Sequence, residues 1–179
     1  EDGSVALNIT AEPGDTDGSE YLTLTVTGFD PSWGVDTSVS GGTYDAVTGT
    51  WTITMPAGQG FAGGPIVSPP ADSDADMDGL VVTATSTETV GGDSKTVTDT
   101  MDVNTDAVVD TPTLTADDAN GEQGTAIDLD IATAVTDTDG SEEVTNIVIS
   151  GVPAGATLNN GADLGGGQWQ LTTADLTGL

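Results

Sequence analysis

Apolar and hydroxyl residues alternate with a period of two along much of this chain, and that pattern leaves it few folds. Leu22, Leu24 and Val26 interleave with Thr23, Thr25 and Thr27, and Trp51, Ile53 and Met55 with Thr50, Thr52 and Thr54. Successive side chains on a strand point to opposite faces, so a half-buried strand must alternate in this way. Val5, Leu7 and Ile9 repeat the pattern, as do Ile127, Leu129 and Ile131 between Asp128 and Asp130. No helical period competes with it. Composition alone argues the other way: 35% hydrophobic residues, 4% aromatics and a net charge of -29 suit a disordered acidic coil. The alternation outweighs composition and predicts an all-β protein, with strands near residues 4–10, 20–28, 50–55, 80–86 and 95–103 in its first part. Threonine suits the solvated face of a sheet and the 25 glycines supply turns. The economical architecture is a β-sandwich.

An internal repeat organises the chain. At an offset near 121, Glu1, Gly3, Leu7 and Ile9 fall on Glu122, Gly124, Leu129 and Ile131; the hexapeptide DTDGSE occurs at 15–20 and again at 137–142. Gly28-Phe29 falls on Gly151-Val152, GTWTIT around Trp51 on GQWQLT around Trp169, and Phe61 on Leu179. The expected organisation is tandem immunoglobulin-like or cadherin-like sandwiches. Residues 1–107 form the first repeat without its opening strand, 108–118 a linker with the first strand of the next, and 119–179 the N-terminal part of an incomplete second repeat. Strands absent from each copy would come either from continuation of the chain or from neighbouring molecules.

Charge and missing residue types exclude several functions. With Lys95 as the only basic side chain among 30 acids, the chain cannot neutralise phosphates, so neither nucleic acid nor an anionic membrane is an expected partner. No apolar run approaches membrane-spanning length. The absence of His and Cys removes the commonest general base, the thiolate nucleophile and the usual zinc, copper and iron ligands, so no enzyme is expected. Carboxylate oxygen remains in excess, which suits calcium with its six to eight oxygen ligands.

Tracing strand direction through an immunoglobulin-like sandwich assigns these oxygens to ends of the repeats. Glu1 and the loop carrying Asp74 and Asp76 belong to the end of the first repeat where the linker leaves, while DTDGSE belongs to the opposite end of each repeat. The seam therefore predicts a calcium junction of Glu1, Asp74, Asp76, Asn104, Asp106, Asp110, Asp137 and Asp139. Asp15, Asp17 and Glu20 are the equivalent set facing a preceding domain, and Glu122 and Glu142 are further candidates. An Asx turn alone would also account for DTDGSE. Asp74, Asp76, Asp78 and Gly79 open like an EF-hand loop, but position twelve is Thr85 and a strand follows, so that motif is rejected. Trp51 and Trp169 share an inward register and are expected in the core; Trp33 is left open. The sequon at Asn8 lies mid-strand and is discounted. Paired carboxylates could serve glycoside hydrolysis, but nothing marks one with a raised pKa in a cleft.

The seam resembles that of cadherins. DTDGSE, ISGVPAGATL at 149–158, SPPADSDAD at 68–76 and VVDTPTLTADDANGEQGTA at 108–126 together resemble the tandem repeats of bacterial RTX adhesins exported by type I secretion. DPSWGVDTSVSGG at 30–42 departs from the VPAGATL pattern, and no glycine-rich RTX nonapeptide is present. The resemblance implies a calcium-stiffened extender on the outside of a bacterial cell, contacting neighbouring repeats and holding an adhesive region, with its own surface ligand and a role in biofilm, away from the surface. Two alternatives stand beside it. One is a self-assembling extracellular filament or surface-layer subunit completed by strand donation between adjacent copies. The other is a carbohydrate- or peptide-binding module using Trp33, residues 30–43 and GQGFAGG at 58–64.

Overall fold

The computed structural model describes every residue except Thr16 and Thr138, and the chain divides into two units, Glu1–Val108 and Val109–Leu179. Unit 1 runs through β1 (Val5–Ala6), β2 (Ile9–Ala11), β3 (Glu20–Thr27), β4 (Gly34–Asp36), β5 (Thr43–Asp45), β6 (Thr50–Met55), β7 (Phe61–Gly63), β8 (Ile66–Ser68), β9 (Met77–Glu88) and β10 (Ser94–Val103). The protein is all-β, as the alternation predicts.

The long alternating segments build an antiparallel sheet in the order β10-β9-β3-β6-β5. In β3 the inward residues Leu22, Leu24 and Val26 are buried while the threonines between them are only partly so. Outward threonines meet across the strands, Thr23 with Thr54 at 3.2 Å and Thr85 with Thr96 at 2.9 Å between hydroxyl oxygens. Such cross-strand pairs each stabilise a sheet by a few tenths of a kcal/mol up to about 1 kcal/mol. Shorter strands form the facing layer, in the pairings β1-β8-β4 and β2-β7. One core joins the layers: Leu22, Leu24, Val26, Trp51 and Leu80 from the large sheet pack with Leu7, Ile9, Phe61 and Val67 from the short strands. Trp51 is fully buried, as its register predicts, and its Nε1 donates to the Gly41 carbonyl at 3.0 Å.

The predicted strand at 4–10 divides in two. Leu7 and Asn8 interrupt it, and its partner breaks at the same level between Gly63 and Ile66. Pro65 has no N–H to give a ladder, although its carbonyl accepts from Leu7 N at 3.0 Å. The register is continuous across the break, and Val5, opposite the buried Val67, is half exposed.

Unit 2 comprises β11 (Thr113–Ala116), β12 (Ile131–Ala134), β13 (Ile147–Ser150), β14 (Ala162–Gly165), β15 (Gln168–Leu171) and a short 3-10 turn at Thr173–Leu176. β11 pairs with β12, and β15 lies between β13 and β14. Trp169, Leu171 and Leu179 form the buried centre, with Leu129, Ile131 and Ile149 packed against it. The expected strand from Ile127 begins only at Ile131, because the β11 ladder ends at the pair Ala116 and Ile131; Ile127 is 44% exposed.

The repeat is visible in backbone bonds. Phe29 N donates to Gly49 O and Val152 N to Gly167 O, equivalent positions in the two copies. At both, the glycine has positive φ and an added Cβ would stand 2.6 Å and 2.5 Å from the carbonyl oxygens of Phe29 and Val152. No other residue fits there without moving the backbone.

Candidate metal centre

Each unit gathers carboxylates at the end where the linker joins it. In unit 1 the loop before β1 and the segment after β10 lie side by side. The Glu1 nitrogen donates to the Asp106 carbonyl at 2.7 Å, and Val108 N donates to Glu1 Oε1 at 2.7 Å. The other oxygen, Oε2, is buried without a hydrogen-bond partner among the described residues. Asp76, in the loop before β9, reaches the same segment and accepts from Thr105 N at 2.7 Å. Asp74, Asn104 and Asp106 are exposed beside them in sequence. Asp102 also belongs to this end and accepts from Gly79 N at 2.7 Å; the sequence hid it in the alternation of β10. A cavity of about 280 Å³ opens here, lined by Glu1, Asn104 and Asp106 together with the apolar Trp33, Val67 and Val103. Trp33, which the sequence left open, is 6% exposed and part of the core; the turn at Asp30, whose carbonyl accepts from Trp33 N at 3.1 Å, folds it inward.

In unit 2 the second DTDGSE stands at the linker end, where β12 finishes opposite the start of β11. Asp139 N donates to Asp137 Oδ1 at 2.8 Å, Ser141 N to Asp139 Oδ1 at 2.7 Å, and Ser141 Oγ to Asp137 Oδ2 at 2.9 Å. Asp110 joins through its N–H, which donates to Glu142 Oε1, and through its carboxylate, which accepts from Thr136 Oγ1 at 3.3 Å. Asp137 is 2% exposed. Carboxylate oxygens of Asp137 and Asp139 lie within 4.8 Å of one another, a spacing at which they could hold a metal ion.

The first DTDGSE folds alike at the far end of unit 1. Asp17 N donates to Asp15 Oδ1 at 2.9 Å and Ser19 N to Asp17 Oδ1 at 2.8 Å. Hydrogen bonds from the Ser19 side chain and N–H hold the Asp17 carboxyl below its ordinary value. Glu20 Oε2 accepts from Ser86 Oγ at 2.6 Å. Thr16 and Thr138, the second residue of each motif, lie outside the described residues. Glu122 is apart from the Asp137 set: it lies in the loop joining the far ends of β11 and β12, where its carbonyl accepts from Thr125 N and Oγ1.

The Asx-turn reading of DTDGSE therefore holds in both copies, and it does not compete with metal binding. An ionised carboxylate offers about four acceptor sites, and each turn uses one or two of them. The carboxylate sets at the linker ends contain no Lys or Arg. Lys95 sits opposite Ser86 near the far end of β10, and unit 2 contains no Lys or Arg. A buried carboxylate without a counter-charge is costly unless a cation and hydrogen bonds compensate it. The donor set is all hard oxygen, which fits calcium and does not suit softer metals. No family model, curated protein or solved structure matches the chain.

Proposed function

We propose that the chain is a pair of calcium-binding, immunoglobulin-like repeats from an extended bacterial surface adhesin of the RTX type, acting as a mechanical spacer and not as a catalyst. Calcium taken up by the carboxylates flanking the linker stiffens the chain there and holds an adhesive region away from the cell. One observation carries the reading: acidic sets occur at the linker end of each unit, including the buried Asp137 and the unpartnered Glu1 Oε2, with no basic side chain to neutralise them. The resemblance of DTDGSE and of residues 108–126 to adhesin repeats supports the extracellular assignment. Where calcium is scarce, self-repulsion of a -29 chain favours an expanded form suited to export; calcium outside the cell favours the compact one.

Isothermal calorimetry with calcium, paired with small-angle scattering in calcium and in chelator, tests this. The expected result is saturable binding with a narrower distribution of molecular dimensions in calcium. Absence of binding, or binding that leaves the scattering unchanged, overturns the spacer mechanism.

A further inference from the structure

We propose that Asn120 is a site of spontaneous covalent modification, at which the backbone nitrogen of Gly121 displaces the side-chain amide and leaves a new acidic residue in the loop between β11 and β12. Sequence neighbours select the position. Of the six asparagines, only Asn120 and Asn160 precede glycine; the others precede Ile9, Thr105, Ile147 and Asn160. A side chain on the following residue crowds the attacking nitrogen, and glycine has none. Asp2, Asp17, Asp78 and Asp139 also precede glycine, but a carboxylate ionised near neutral pH resists attack by a nucleophile, whereas a neutral amide does not.

The two Asn-Gly pairs are held differently. Asn160 is half-buried, and its Nδ2 donates to the Asp175 carbonyl at 2.9 Å and to the Thr177 carbonyl at 3.3 Å. Gly161 is fixed at a φ of +86°, where an added Cβ would stand 2.6 Å from the Gln170 carbonyl oxygen. Neither residue can turn toward the other without breaking these contacts. Asn120 and Gly121 are both exposed, and among the described residues no hydrogen bond restrains the Asn120 amide or the Gly121 N–H. Packing keeps the second residue a glycine, because a Cβ there would stand 2.5 Å from Ile127 Cγ1. The loop is pinned on either side of the pair. Asp117 N donates to the Asp130 carbonyl at 3.1 Å, and Thr125 N to the Glu122 carbonyl at 3.2 Å. The backbone between these points can therefore reach the ring geometry while the strands stay paired.

The Gly121 nitrogen gives up its proton to hydroxide and bonds to Asn120 Cγ. The bond from Cγ to Nδ2 breaks, and the amide nitrogen takes a proton and leaves as ammonia. Water then opens the five-membered imide. Breaking the bond from nitrogen to Cγ yields aspartate; breaking the bond from nitrogen to the main-chain carbonyl carbon yields isoaspartate, with one more methylene in the backbone. One water enters, one ammonia departs, and nothing is oxidised or reduced. The product adds one negative charge to a chain of net charge -29, beside Asp117, Asp118 and Glu122.

The whole chain, incubated in chelator in mildly alkaline buffer so that calcium plays no part, tests this. Charge-resolved separation follows the acidic form, with Asn120→Asp as its standard, and fragmentation mass spectrometry locates the modified residue. In the folded chain the change should map to Asn120 and proceed at Asn160 at least about tenfold more slowly, since Asn160 must wait for local opening. In urea the two positions should react alike. Asn120→Gln, which would need a larger ring, should lose the charge gain while keeping its fold, because the site is exposed. Equal reaction of Asn120 and Asn160 in the folded chain overturns the proposal. So does an Asn120 that stays intact in the folded chain, or a Gln variant that acidifies at the wild-type rate.

Discussion

Replacing Asp137 with Asn should reverse its effect on stability between chelator and calcium. The substitution keeps the side chain's shape and its acceptor for Asp139 N, and the amide can turn toward Ser141 Oγ. It removes a negative charge within 4.8 Å of an Asp139 oxygen. At that separation two unit charges repel by about 3 kcal/mol for an effective dielectric constant near 20, and by under about 1 kcal/mol in bulk water. Asp139 is exposed, so solvent screening brings the relief down to about 1 kcal/mol. Without calcium, Asp137→Asn should therefore melt at the wild-type temperature or a few degrees above it. In calcium the order inverts. At a free concentration about 100 times Kd, binding stabilises the folded state by about 2.7 kcal/mol. For a domain the size of Val109–Leu179 each kcal/mol moves Tm by about 4–8 °C, so wild type should gain roughly 11–22 °C. The variant, short of a buried ligand, should gain less than about 5 °C by the same conversion. Circular-dichroism melts in chelator and in about 10 mM calcium, well above the Kd of typical extracellular sites, measure both numbers. A variant that keeps the full calcium gain would refute the reasoning.

Gly49→Ala and Gly167→Ala should each destabilise their own unit by at least about 2 kcal/mol through positive φ and collision with a carbonyl, read as loss of one transition in calorimetry while the other is kept. Ser32→Ala removes both the largest cause of the lowered Asp30 pKa, the Ser32 hydroxyl, and some of the order of the turn. Because that pKa lies below its unfolded value, its stabilisation is present above about pH 3.9 and lost as pH falls through the folded value. The variant should raise the Asp30 titration midpoint by NMR and be less stable than wild type at pH 7, with the ionic part of the difference gone at pH 2. In chelator, raising sodium chloride from about 20 to 500 mM should raise Tm, because the Debye length shrinks and carboxylate repulsion is screened; an unchanged Tm would show that repulsion is not what limits the metal-free fold.

The long strands were legible because their period is forced by burial on one face. Leu22, Leu24, Val26 and Trp51 are where the alternation puts them, since each has a partner strand on both sides. The short strands were not. Gly34–Asp36, Phe61–Gly63 and Ile66–Ser68 are three residues each, too short to display a period and punctuated by Gly and Pro. Ile127 alternates like a strand residue, but no ladder reaches it. Trp33 carried no register because a turn, not a strand, directs it inward. For the acidic sets, strand direction was enough to group Glu1 and Asp76 with the linker segment and to separate Glu122 from Asp137. Asp102 and Ser141 needed coordinates, since neither stands out among so many acids and hydroxyls.

The threonine face of the large sheet gives unit 1 an uneven electrical character. Its broad wall is hydrated through neutral hydroxyls such as Thr23, Thr54, Thr85 and Thr96, while much of the ionisable charge lies in loops. Divalent loading would thus titrate the loops and leave the wall untouched. Mobility in an electric field should fall as the loops are discharged, whereas adsorption through the wall, onto a polysaccharide matrix for example, should not register the ion at all.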